Sequence, residues 1–126
     1  MPNHSFCSFI ASYRNAVISK KIKFGVKLNT LNINCLKILL NDGYIWTFFC
    51  WNKKIHVIMP DLDISLYFNW IVVYSTSWKI IKLNFNDLIK LTHTGGYFII
   101  STPQGVLNDS DAWKLKIGGI LLMGIF

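Results

Sequence analysis

The residues of this chain best suited to chemistry are a pair of adjacent hydroxyls, Ser101 and Thr102, followed at once by Pro103, Gln104 and Gly105. With the polar run through Asn108, Asp109 and Asp111 they interrupt a sequence that is otherwise strongly apolar. The chemistry they offer is hydrogen bonding. Catalysis would require a nucleophile beside a base, or carboxylates paired in a cleft. Asp109 and Asp111 lie two apart where a helix should begin, so capping accounts for them, and no histidine is close to them in sequence. Neither a phosphate-binding glycine loop nor a dinucleotide fingerprint occurs. Cys7, Cys35 and Cys50, like His4, His56 and His93, are scattered and lack the short spacings that hold zinc. The expectation is a non-enzymatic chain with free thiols in a reducing compartment, no cofactor and no small-molecule substrate.

Placement decides what the hydroxyls can do. Pro103 fits the second position of a type I turn and Gly105 the fourth, which sets Ser101 and Thr102 at the end of the apolar strand "YFIIS". The expectation is a sheet-edge pair with both hydroxyls free. Asn108 or Asp109 should cap a helix of about two turns, with Lys114 and Lys116 in its last turn. Gly118 should then turn the chain into a final strand. A rigid hydroxyl pair suits the wide, shallow minor groove of an RNA helix, where 2′-hydroxyls are natural partners.

The elements that must position this stretch follow from periodicity. Phe6, Phe9, Ile10, Tyr13 and Val17 recur at helical spacing, so the chain opens with an amphipathic helix. With one arginine and no cleavage motif, that segment reads as structure rather than as a targeting peptide. "SKKIKFGVKL" alternates like a strand, and "NTLNINCLKILLNDG" is a helix capped at Asn29 or Thr30 and stopped at Gly43. "YIWTFFCW" and "KIHVIM" form two strands joined by "NKK". This half is α-β-α-β-β. "PDLD", residues 60–63, marks a seam between lobes. Beyond it come a strand around "LYFNWIVVY", a turn "STS", a strand "WKIIKL", a helix around "NDLIKL" and the strand "YFIIS". The fold class is α/β (α+β) in two small lobes, residues 1–60 and 61–126, the second mostly β with short helices. Trp78 and Trp113 are assigned to the core.

The charge is divided unevenly between these lobes. Residues 1–60 hold seven lysines, Arg14 and one aspartate, whereas residues 61–126 hold five lysines and five aspartates, so the whole net charge of +7 sits in the first half. A basic lobe of this kind favours a polyanion, and Lys20 and Lys21 are its candidate phosphate contacts. A basic, aromatic lobe also suits a membrane surface or a scaffold, which stands as the alternative. The longest apolar runs are far shorter than the roughly 20 residues that span a bilayer, so no membrane insertion is expected.

The closing run "STPQGVLND", "AWKLK", "IGG" and "ILLMGIF" resembles the signature of the bacterial-type small-subunit ribosomal protein eight family, in the same order and without a gap. Upstream, "YRN" and "GYI" match that family's Arg-Asn and Gly-Phe-Ile at the same separation. The resemblance implies two α/β lobes that bind a stem in the central domain of small-subunit ribosomal RNA, beside neighbouring small-subunit proteins. It implies RNA contacts at Ser101, Thr102, Gln104 and Gly105, shape residues at Gly118 and Gly119, and first-lobe contacts at Arg14, Asn15, Asn29 and Thr30. Pro103 stands where the family carries a third hydroxyl, and Ile120 where an acid commonly follows the glycine pair. A Pro-Gly turn of the family appears as Ser77 and Trp78.

Phe, Tyr, Met, Ile, Asn and Lys supply 58 of the 126 residues, against 15 for Gly, Ala, Arg and Pro. That skew follows AT-rich codons and accounts for a positive mean hydropathy of +0.39 without a membrane. Combined with a bacterial-type family it implies an organelle, with an organelle-encoded mitochondrial ribosome as the first expectation and a plastid or a bacterial cytoplasm as the alternatives.

Overall fold

The computed structural model describes residues 4–60, 71–76, 78–94 and 96–126. The chain divides into two compact units, residues 4–69 and a second unit built on residues 70–126. All but Pro60 of the seam expected at residues 60–63, Ser77 of the "STS" turn and the first part of the "LYFNWIVVY" strand lie outside the described residues.

The first unit runs α1 (His4–Ser19), β1 (Lys23–Lys27), α2 (Thr30–Asn41), β2 (Thr47–Trp51) and β3 (Lys54–Ile58), the α-β-α-β-β order that the periodicity predicts. Its three strands form an antiparallel sheet in the order β1-β3-β2. Asn52 and Lys53 both take left-handed backbone angles (φ 53° and 59°), so β2 and β3 join through the tight turn whose twist matches a hairpin. Alternation along the register turns Phe24, Val26, Ile55 and Val57 to one face, and α1 packs against β1 there. From α1 the buried residues are Phe6, Phe9, Ile10, Tyr13 and Ala16, one stripe at helical spacing. Tyr13 is the centre of this core. Its ring stacks between Phe9 (6.3 Å) and Phe24 (5.9 Å), and its hydroxyl donates to the Tyr44 carbonyl at 3.1 Å. Burial pushes that phenol well above its ordinary pKa.

Three of the four helices among the described residues end in the same way. Lys20 N–H reaches Val17 O and Lys21 N–H reaches Ala16 O, the paired bonds of a Schellman closure, with Lys20 at φ 54°. Gly43 closes α2 likewise, as expected, through Gly43 N–H to Leu40 O and Tyr44 N–H to Leu39 O. The third such closure, at Lys116, belongs to the second unit. The strand expected across "SKKIKFGVKL" is shorter at both ends, because α1 extends through Ser19 and its closure occupies Lys20 and Lys21.

The second unit contains β4 (Ile71–Val73), β5 (Lys82–Leu83), α3 (Phe85–Thr92), β6 (Tyr97–Thr102), β7 (Gly105–Asn108), α4 (Asp109–Leu115) and β8 (Gly119–Ile125). The strand order is β4-β8-β6-β7, and β5 also pairs with β8 further along the edge that β4 occupies. The buried Ser75 hydroxyl bridges the gap between those two short strands, donating to the Leu121 carbonyl and accepting from Ile81 N–H at 3.0 Å. Leu88, Phe98, Ile100, Ala112 and Leu121 make the core beneath α3 and α4. The strand expected over "WKIIKL" survives only as Lys82–Leu83. Trp78 is 86% exposed and Trp113 51% exposed, so their assignment to the core is overturned. Trp78 lies within the turn that Thr76 and Lys79 close between them, and Trp113 lies on the outer side of a helix that buries Ala112.

Among the cysteines, Cys50 is exposed, Cys7 half-buried and Cys35 buried. Burial pushes the Cys35 thiol up to about 12 from its ordinary 9.0. A raised folded-state value gives stability that is full below pH 9 and is lost as pH climbs towards 12. Denaturant titrations should therefore show wild type losing more stability than Cys35→Ala between pH 9 and pH 11, and maleimide should label Cys50 but not Cys35 in the folded chain.

Candidate RNA interface

The stretch that holds Ser101 and Thr102 is a two-residue hairpin. Strands β6 and β7 pair from Ile99–Asn108 to Thr102–Gly105, leaving Pro103 and Gln104 as the connection. Gly105 takes φ 114°, a backbone that side-chain-bearing residues rarely adopt. The Thr102 hydroxyl donates to the Gly105 carbonyl at 2.7 Å and accepts from Gln104 N–H at 3.2 Å. Thr102 is therefore a staple of the turn, 8% exposed, and not the free hydroxyl expected from the sequence. The strand is also not an edge, because β6 lies between β8 and β7. The hairpin's own bonds leave the half-buried Ser101 hydroxyl unused, while Pro103, Gln104 and Gly105 are exposed beside it.

Behind the hairpin lies a shallow concavity of 570 Å³. Lys82–Phe85 form one wall, Ser101–Pro103 the other, and Gly118, Gly119 and Ile120 the floor. The floor is bare because it must be. A Cβ on Gly118 would collide with the Leu83 carbonyl, and one on Gly119 with the Ser101 carbonyl. The two glycines let β8 approach β5 and β6 so closely that the backbone itself becomes the surface. Helix α4 sets the approach. Asn108 is its N-cap, accepting from Asp111 N–H at 2.7 Å, and Lys116 (φ 57°) ends it in a Schellman closure. The chain reversal thus falls on Lys116, and Gly118, expected to make it, serves close approach instead. On the opposite wall Asn84 caps α3 in a reciprocal box with Asp87, which engages the Asn84 side chain. Lys82 is exposed on that wall and supplies its charge. Sequence reasoning missed Lys82, because its place here depends on the pairing of Lys82 with Ile120, a register no local pattern encodes.

The first-unit candidates are spread over three places. Arg14 and Asn15 lie in the third turn of α1, half-buried and exposed respectively, and Lys20 and Lys21 are both exposed at its closure. Asn29 caps α2, accepting from Leu31 N–H at 2.8 Å, and Thr30 is the exposed first residue of that helix. Among the described residues no group of three His, Cys, Asp or Glu side chains could hold a metal ion, and no helix is long and apolar enough to cross a membrane.

The second unit is a helix-backed sheet whose open concavity joins glycine backbone, the Ser101 hydroxyl and Lys82 to the apolar Leu83, Phe85 and Ile120. The pattern that defines Ribosomal protein S8 matches residues 5–126, and the chain belongs to that family. It is 33% identical to the small ribosomal subunit protein uS8 of Wolbachia sp. subsp. Brugia malayi, over 97% of this chain and 96% of that one. It is 30% identical to the protein of the same name from Ehrlichia canis, over 94% of each, and 28% identical to that of Caulobacter sp., over 98% of each. The chain is a structural protein of the small ribosomal subunit and not an enzyme.

The floor gives a direct test. Gly118→Ala and Gly119→Ala should each destabilise the chain by about 3 kcal/mol or more, since backbone must move to admit the methyl group. Chemical denaturation would show it.

Proposed function

We propose that the second unit reads a helical stem in the central domain of small-subunit ribosomal RNA through the concavity behind the β6–β7 hairpin, while the basic first unit neutralises phosphates. The observation that carries this reading is the bare floor at Gly118 and Gly119, flanked by the Ser101 hydroxyl and Lys82. A sugar-phosphate ridge can approach such a surface to backbone distance, and the exposed 2′-hydroxyls of an RNA minor groove match a fixed serine. Thr102 acts indirectly, by holding the turn. Pro103, Gln104 and Gly105 present the tip, and Ile120 adds an apolar patch where a sugar face can rest. In the first unit, Lys20 and Lys21 contact phosphates from the closure of α1, and Arg14, Asn15, Asn29 and Thr30 contribute polar contacts. This division matches the net charge, which resides wholly in residues 1–60.

The ribosome in question is, on this proposal, that of an AT-rich organelle, a mitochondrion first, with the gene inside the organelle. The amino-acid skew toward AT-rich codons supports it. Recovery of the protein with small subunits from purified mitochondria would bear it out, and recovery only from a bacterial or plastid lysate would refute it.

Ser101→Ala should weaken binding to the ribosomal stem by about 3- to 10-fold, the worth of one neutral hydrogen bond, with stability unchanged. Thr102→Val should lower stability by about 1 kcal/mol through loss of the staple, and Thr102→Ser should restore it. Filter binding on the isolated stem, paired with thermal melts, separates the two effects. Stem binding that is indifferent to Ser101→Ala would rule out the hydroxyl as a reader.

A further inference from the structure

The sheet of the first unit has a second face. Register and alternation turn Lys23 and Lys27 of β1, Lys54 and His56 of β3, and Phe49 and Trp51 of β2 away from α1. No described element covers this side, and Phe49 is 51% and Trp51 64% exposed. The rings are ordered against each other. His56 stacks on Phe49 at 5.2 Å and meets Trp51 at 6.3 Å. On the β1 side the face is cleared by Gly25, and the Lys54 side chain lies over that gap, its ammonium 2.8 Å from where a Cβ would be. The result is a ring platform at the β2 edge and an ammonium over bare backbone at the β1 edge. Lysines mark the far edge, and no outward position of the three strands carries an acid.

We infer that this face binds unpaired RNA nucleotides, with bases stacked on Trp51 and Phe49 and the intervening phosphates held by Lys54, Lys23 and Lys27. Rings interleaved with cations at strand spacing are what a single strand needs, since every base has a face to stack and every linkage a charge to neutralise. An apolar protein partner would have to strip water from three lysines without returning a countercharge. This contact is separate from the Ser101 concavity and does not require that Ser101 reads a stem.

The test uses the full chain and a fluorescently labelled nine-uridine RNA, followed by anisotropy, with the ribosomal stem as a parallel probe. The wild type should bind the oligonucleotide. Trp51→Ala and Phe49→Ala should each weaken that binding by about 5- to 150-fold, the range for loss of one stacked base. Trp51→Phe should keep most of it. Lys54→Gln should lower the salt dependence by about 0.7 in log–log slope, one phosphate on a single strand. Circular dichroism verifies folding, and Trp51→Leu, which retains apolar bulk without a ring, should lose binding as Trp51→Ala does. Oligouridine that fails to bind, or that binds Trp51→Ala and Phe49→Ala as tightly as wild type, overturns the inference. Full binding by Trp51→Leu also overturns it, because apolar bulk and not a stacked ring would then hold the oligonucleotide. Ser101→Ala should leave oligouridine binding unchanged, so failure of the stem reading and failure of this one are told apart.

Discussion

Backbone meeting backbone at Gly118 and Gly119 is the constraint on which the second unit depends. Strand β8 pairs with β6 on one side and with β4 and β5 on the other, and the glycines lie where two of those approaches are tightest. Their placement requires α4 to end on time, which the left-handed Lys116 ensures, and α3 to begin on time, which the Asn84–Asp87 box ensures. The hairpin that carries Ser101 then has no freedom to shift, because its carbonyl rests against the glycine and its tip is fastened by Thr102. Rigidity at the surface is thus inherited from packing one layer below.

The two units present different surfaces. In the second, charge is balanced, and the concavity sets glycine backbone, one hydroxyl and one lysine among apolar side chains. In the first, a tyrosine stacked between two phenylalanines builds the core on one side of the sheet, leaving the other side to lysines and rings. A helix on one face only is what makes the opposite face available.

Much of this was legible in the residues, and the limits have physical causes. The α-β-α-β-β order was readable because α1 and α2 carry clean helical stripes and β1 and β3 alternate. Gly43 and Asn108 were readable because their residue types are chosen by the backbone they adopt. Lys20 and Lys116 were not, since lysine gives no sign that it occupies a left-handed closure; hydrogen bonding on both sides holds it there. Thr102 was read as a free hydroxyl because Pro103 and Gly105 already explain a turn, whereas its own side chain fastens that turn through Gly105 and Gln104. Trp78 and Trp113 were placed inside on hydrophobicity alone, yet tryptophan size says nothing about which side of a turn or helix it occupies. The aromatics of β2 acquire meaning only when the register sets them beside His56 and opposite the lysines.

The glycine floor also bears on how this sequence can change. The amino-acid skew favours AT-rich codons, whereas glycine codons begin with two G bases. Any single-base change that alters the amino acid introduces a Cβ, because glycine alone lacks one. At Gly118 and Gly119 that Cβ meets a carbonyl oxygen of a paired strand. Side chains around the concavity can therefore change, as at Pro103 and Ile120, while the two positions beneath them admit no other amino acid without moving backbone.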